Sequence, residues 1–110
     1  MQYDAIDQKQ LRYMFQKLGF SPHHTGYKML ITAILLYVQN TNQSITKELY
    51  PALAKQSRLY SSASIERSMR YAISEAWARG PQRAWQQYFP QQVKAPSNSL
   101  FIATMAEYWM

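Results

Sequence analysis

The stretch SSASIERSMRYAIS, residues 61–74, contains side chains that could recognise a base edge or an anionic group. If it is helical, Glu66, Arg67 and Arg70 share one face, because residues three or four apart are neighbours on a helix. A guanidinium fork matches the O6 and N7 acceptors of guanine, and a carboxylate accepts from cytosine N4. The pattern predicts that these three side chains contact base edges in duplex DNA. The alternative is a solvated i, i+4 ion pair between Glu66 and Arg70.

The opposite face of this segment is apolar, which predicts an amphipathic helix anchored in a core. Ser61 or Ser62 is the expected N-cap, and Gly80-Pro81 ends the helix, which gives about residues 62–79. Two arginines would then project from the N-terminal half of a buried helix. The stripe expected to be buried consists of Ile65, Met69, Ala72, Ile73, Ala76 and Trp77.

A second, shorter helix precedes this one. In ITKELYPALAKQS, Leu49, Leu53 and Ala54 make a small apolar face, and Pro51 should lie near a helix start or kink the helix. The connection RLYSS is short, so the sequence predicts a helix-turn-helix over about residues 46–79, with the second helix in the major groove. Six side chains are further candidates for contacts with the DNA backbone: Lys47, Arg58, Ser61, Ser62, Ser64 and Arg79.

The charge distribution favours an anionic partner. The chain has 12 basic and 6 acidic residues, and seven of the basic residues fall between residues 55 and 94, with only two acidic ones. Nucleic acid, anionic lipid and an acidic protein all fit such a region. The aromatic residues, 15% of the chain, could stack on single-stranded bases, although a place in the core is the commoner use of such side chains.

Several classes of function find little support in the sequence. The chain has no cysteine, its histidines are the adjacent His23 and His24, and its three glycines are scattered, so we expect no metal site, no cofactor and no phosphate-binding loop. No paired acids suggest catalysis, and we expect a protein that is not an enzyme. The longest apolar run, residues 29–38, is too short to span a membrane, so we expect a cytoplasmic protein.

Helical periodicity runs through the whole chain, and we therefore expect a single all-α domain of about six helices over residues 1–110. The first should run from about Ile6 to Leu18 and stop at Gly19, and the central one from Tyr27 to Val38. A short helix is expected in residues 81–89, and a last helix from Leu100 to about Trp109. The candidates for the cap of the last helix are Asn98 and Ser99.

Four separated motifs resemble one known family. They are GFSPHHTGY (19–27), SITKELYPALAK (44–55), IERSMRYAISEAWARG (65–80) and PSNSLFIA (96–103), in this order. They resemble the C-terminal DNA-binding effector domain of the sporulation initiation response regulator of endospore-forming bacteria. The resemblance implies a bacterial, nucleoid-associated transcription regulator, and it places the family's base-reading positions on Glu66, Arg67 and Arg70.

The resemblance also implies partners. Proteins of this family bind tandem sites, which suggests that this chain contacts a second copy of itself on DNA, and they contact RNA polymerase through the region equivalent to residues 81–94, which here departs from the family pattern. We expect no receiver domain in these 110 residues. The alternative function is a helical protein-interaction module or antagonist that docks through the apolar segment LFIATMAEYWM at the C-terminus.

Overall fold

The computed structural model describes the backbone of residues 4–109 and the side chains of residues 8–108. Within that range the chain forms six α-helices and no β-strand, which confirms the all-α prediction. A π-helical turn precedes the third helix and a 3-10 turn follows the sixth. The α-helices are α1 (Asp4–Leu18), α2 (Thr25–Gln39), α3 (Tyr50–Ser57), α4 (Ser62–Arg79), α5 (Gln82–Tyr88) and α6 (Asn98–Ala106).

Helix α1 ends as its sequence predicts. Gly19 has a φ of +94°, a conformation that side chains with a Cβ rarely adopt, and the chain turns there towards α2. The apolar positions Leu11, Met14, Phe15 and Leu18 are all buried. The predicted start at Ile6 lies within the helix, but its side chain is outside the described set.

Helix α2 is the centre of the fold and packs against both α4 and α6. It begins at Thr25, two residues before the predicted start. Its apolar stripe is buried on the side that faces these two helices, and its C-terminal turn is half-buried. The buried residues are Gly26, Tyr27, Leu30, Ile31, Ala33 and Ile34.

The segment before α3 winds as a π-helical turn, Ile45–Leu49, capped by Ser44. The Ser44 hydroxyl accepts from the Lys47 amide at 3.1 Å, and the Ser44 amide donates to Glu48 Oε1 at 2.6 Å. Pro51 follows in the first turn of α3, as predicted. In a regular α-helix its ring would clash with the carbonyl of Lys47, and the residues before it depart from regular α-helical geometry by forming the wider π-helical turn.

Trp85 of α5 holds the C-terminal ends of α1 and α4 together. Its indole nitrogen donates to the Leu18 carbonyl at 2.9 Å and to the Ala76 carbonyl at 3.3 Å, and the side chain is buried. The Leu18 carbonyl, at the last residue of α1, is thereby satisfied inside the core, and the Ala76 carbonyl, which also accepts from the Gly80 amide at 2.7 Å, gains a second donor. The C-terminal end of α4 is therefore fixed to α1.

Helix α6 begins slightly earlier than predicted and is a core element. Its N-cap is Ser97, whose hydroxyl accepts from the Leu100 amide at 3.1 Å, and not Asn98 or Ser99. The helix ends at Ala106, and a 3-10 turn, Glu107–Trp109, follows. The prediction of an apolar docking face on this helix is wrong for four of its side chains, which are buried in the chain's own core: Phe101, Ile102, Met105 and Ala106.

Candidate nucleic-acid interface

Helix α4 begins with a tight cap. Ser61 has extended backbone angles, and its hydroxyl accepts from the Ser64 amide at 3.1 Å. The Ser64 hydroxyl donates back to the Ser61 carbonyl at 3.1 Å. This reciprocal pair satisfies one of the amides that the start of a helix leaves unpaired. The cap identifies Ser61, and not Ser62, as the N-cap residue. The helix runs from Ser62 to Arg79, which confirms the predicted bounds.

The turn between α3 and α4 spans residues 58–61. Arg58 closes α3 in the left-handed conformation, with a φ of +62°. The Ser57 hydroxyl accepts from the amides of Leu59 and Tyr60, at 3.3 and 3.2 Å, and donates to the Ala54 carbonyl. These bonds order the turn, and Leu59 remains 81% exposed at its tip.

The apolar stripe of α4 is buried as predicted, with one exception. Ile65, Met69, Ala72, Ile73 and Ala76 are at most 1% exposed. Trp77 was expected in this stripe but is only half-buried, because it lies at the edge of the core, where its ring packs edge-on against Trp85.

The three predicted base-contacting side chains lie together on the opposite face. Arg67 and Arg70 are exposed, and Glu66 is partly exposed between them and the core. Arg70 Nη1 lies 3.8 Å from Glu66 Oε2, with exposed side-chain fractions of 59% and 46%. An ion pair this exposed contributes at most about 1 kcal/mol to stability. Both charges therefore remain available to a ligand.

The six candidates for contacts with the DNA backbone do not form one cluster but lie on the π-helical turn, on the α3–α4 turn and at both ends of α4. Arg58 and Lys47 are exposed, on the turn and on the π-helical segment that flank α3. Ser61 and Ser64 already use hydroxyl groups in the helix cap, and Ser62 lies next to them in the first turn of α4. Arg79 is exposed, but it lies nine residues beyond Arg70, about 13 Å along the helix axis. It is the last residue of α4, at the opposite end of the helix from the three serines.

Two aromatic side chains beside Arg67 were not among the predicted contacts. Tyr71 lies one turn after Arg67 and is 58% exposed. The His24 ring packs against it with a centroid distance of 5.3 Å. The four-residue spacing from Arg67 to Tyr71 could have revealed Tyr71, whereas the contact with His24 depends on the tertiary fold. An open groove of about 430 Å³ there is lined by His23, His24, Thr25, Gly26, Arg67, Ser68 and Tyr71.

Asn98 is a third residue whose place the sequence did not reveal. It is 8% exposed, and its side-chain amide donates to the Tyr50 hydroxyl at 3.1 Å and to the Glu66 carbonyl at 3.0 Å. Burial raises the pKa of Tyr50, the Asn98 hydrogen bond opposes that rise, and the charges of Glu66 and Arg70 contribute in opposite directions. Tyr50, Glu66 and Asn98 thus lie together where α3, α4 and α6 meet.

Among the described residues, no group of three or more His, Cys, Asp or Glu side chains is placed to hold a metal ion. Of the helices in the same range, none is long and apolar enough to cross a membrane.

A short helix, an ordered turn and a longer helix that exposes guanidinium groups are characteristic of DNA-binding domains of transcription regulators. The family described as sporulation initiation factor Spo0A C terminal matches residues 11–109. Because this match covers nearly the whole chain, the protein belongs to that family of DNA-binding sporulation regulators. It is a DNA-binding domain of the transcription-regulator class.

Proposed function

We propose that this single domain recognises specific sequences in double-stranded DNA, with residues 46–79 acting as a helix-turn-helix and α4 lying in the major groove. The observation that carries the proposal is the division of α4 into two faces. One face is buried from Ile65 to Ala76, and the other presents Arg67 and Arg70 to solvent. A helix anchored in this way can enter a groove without losing its packing.

The proposed base contacts are made by Glu66, Arg67 and Arg70. Either guanidinium can donate to guanine O6 and N7, and Glu66 can accept from a cytosine amino group or orient Arg70, which lies 3.8 Å away. Tyr71 extends the same face and would meet a sugar, a phosphate or a thymine methyl group. The fixed spacing of these side chains on one helix supports recognition of a short, contiguous site.

Contacts with the phosphates are proposed for the start of α4 and its surroundings. Arg58 and Lys47 would contact phosphates through their charges, and the hydroxyls of Ser61, Ser62 and Ser64 through hydrogen bonds. Arg79, about 13 Å beyond Arg70, would reach only a backbone that follows the helix to its C-terminal end. Residues 55–94 contain seven basic and only two acidic residues, and this local positive charge supports contacts with phosphates.

Two protein partners belong to the same proposal. A second copy of the chain on an adjacent site would make binding to tandem sites cooperative, and RNA polymerase would contact the segment of residues 81–94, which includes α5. Both partners are proposed because the chain belongs to the sporulation-regulator family. The proposed location is the bacterial cytoplasm, at the nucleoid.

The experiment that tests this function is selection of duplexes from a randomised library by the purified chain. The expected result is a short enriched sequence that the chain binds at least about 10³-fold more tightly than a scrambled duplex. The affinity should fall steeply as the salt concentration rises. Titrations of single-stranded and duplex DNA of the enriched sequence then distinguish groove recognition from base stacking. Equal affinity for enriched and scrambled duplexes would refute specific recognition.

A protein-interaction module is the competing class of function. It predicts no enriched sequence and weak, purely electrostatic binding of any duplex. The burial of Phe101, Ile102, Met105 and Ala106 takes four of the side chains on which that alternative was based away from any docking face, whereas Leu100 and Tyr108 stay exposed.

A further inference from the structure

We propose that Asn98 is a positioning residue for sequence recognition: its side-chain amide holds the turn of α4 that carries Glu66 and Arg70 at a fixed place relative to α3. The proposal rests on the proposed function of α4. Asn98 itself is buried and is not one of the proposed DNA contacts. It acts through the backbone of Glu66.

Asn98 links three helices through one amide group. It lies in the first turn of α6, which is itself capped by Ser97. The amide nitrogen donates at 3.1 Å to the hydroxyl of Tyr50, the first residue of α3, and at 3.0 Å to the carbonyl of Glu66 in α4. Both helices of the proposed helix-turn-helix are therefore bonded to the same side chain from a third helix.

The orientation of this amide is determined by its partners. The Glu66 carbonyl can only accept, so the nitrogen of Asn98 and not its oxygen must face it. Glu66 lies in the same turn of α4 as Arg67 and one turn before Arg70, which are the proposed base-contacting residues. A displacement at the Glu66 carbonyl would therefore move all three of these side chains together.

The hydrogen bonding of Asn98 is incomplete, which argues against a purely stabilising purpose. Among the buried side-chain nitrogen and oxygen atoms of the described residues, the Asn98 oxygen is the one without a hydrogen-bond partner. A buried acceptor without a partner costs stability, and an apolar residue of similar size would avoid that cost. Buried polar groups of this kind are retained in some proteins because they fix one arrangement of the packed elements.

The experiment compares Asn98→Leu and Asn98→Ala with the matched control Ser99→Ala, an exposed neighbour in the same turn. The probes are the duplex selected by the unmodified chain and a scrambled duplex. We expect both Asn98 variants to lower the affinity ratio of the two duplexes about tenfold, the loss expected for one weakened base contact, while affinity for the scrambled duplex stays unchanged. Tyr50→Phe, which keeps the bond to Glu66, should lower the ratio less.

A readout without DNA separates positioning from general stability. In the free Asn98→Ala protein, the NMR amide shifts and hydrogen exchange of residues 66–70 should change, while those of residues 73–79, held by Trp85, should not. Arg70→Ala reports on the proposed function itself. If Arg70→Ala lowers the affinity ratio but folded Asn98 variants do not, the positioning proposal is overturned. If Arg70→Ala also leaves the ratio unchanged, base contact by Arg70 is refuted, and with it the proposal that Asn98 positions that side chain.

Discussion

Gly26 of α2 lies directly against the backbone of Ser68 in α4. A Cβ atom at position 26 would overlap the Ser68 carbonyl and come within 3.0 Å of the Ala72 methyl group. The two helices therefore meet backbone to backbone, at a point between Arg67 and Tyr71. This contact sets how far α4 projects from the domain, and with it how deeply its exposed side chains would reach into a groove under the proposed function.

Gly26→Ala should therefore destabilise the domain and move α4 outward. Overpacking at a close backbone contact costs about 1–3 kcal/mol, which urea denaturation will measure. Thr25→Ala, an exposed neighbour in the same helical turn, is the matched control and should change stability by less than about 0.5 kcal/mol. Equal stabilities for the two variants would mean that the close contact is not present.

Arg67→Ala and Arg70→Ala should each weaken binding to the selected duplex by about 1–3 kcal/mol and leave the melting temperature nearly unchanged. The reason is that both guanidiniums are exposed and contribute little to the fold. Fluorescence anisotropy titrations of selected and scrambled duplexes measure the effect, with exposed Arg83→Ala on α5 as the charge-matched control. If binding to both duplexes weakens equally, the two arginines contact phosphates and do not read bases.

Ser61→Ala should cost about 1 kcal/mol of stability, because it removes the cap of α4 and leaves the Ser64 amide without its acceptor. Ser62→Ala is the control, since Ser62 is the first residue inside the helix and does not supply the cap. Thermal denaturation followed by circular dichroism distinguishes the two variants. A larger loss for Ser62→Ala would place the helix start one residue later than the structure does.

Arg58→Asn and Lys47→Gln should weaken binding to selected and scrambled duplexes to the same extent. Each removes a charge proposed to contact a phosphate, so the slope of log affinity against log salt should fall by about 0.9 per contact. Asparagine is chosen at position 58 because it tolerates the left-handed backbone, which here has a φ of +62°. An unchanged slope in either variant would remove that residue from the phosphate contacts.

Alkaline conditions should destabilise the domain, and Tyr50 should contribute. Burial raises the pKa of Tyr50 above its ordinary value of 10.0, so above about pH 10 the folded chain retains a proton that the unfolded chain has lost. Stability therefore falls as pH rises through this window. Urea denaturation at about pH 9 and about pH 11 should show a smaller decrease for Tyr50→Phe than for the unmodified chain. An identical decrease would mean that Tyr50 titrates as it does in the unfolded chain.

The helices could be predicted because their signals are local. The bounds of α4 follow from three local signals: the cap at Ser61, the 3.6-residue periodicity of the stripe from Ile65 to Ala76, and the helix stop at Gly80. Each of these signals acts within a few residues. The exposed positions of Arg67 and Arg70 follow from the same periodicity. The base contacts assigned to them remain predictions.

Contacts between distant segments could not be predicted in this way. The indole of Trp85 bonds to Leu18, 67 residues earlier, and Asn98 bonds to Glu66 across 32 residues. In the sequence Asn98 resembles an ordinary helix cap, and the apolar segment after it resembles an available docking face. Only the packing of α6 against α2 and α4 decides that Asn98 is buried and bonded to two helices, because burial depends on which distant surfaces meet.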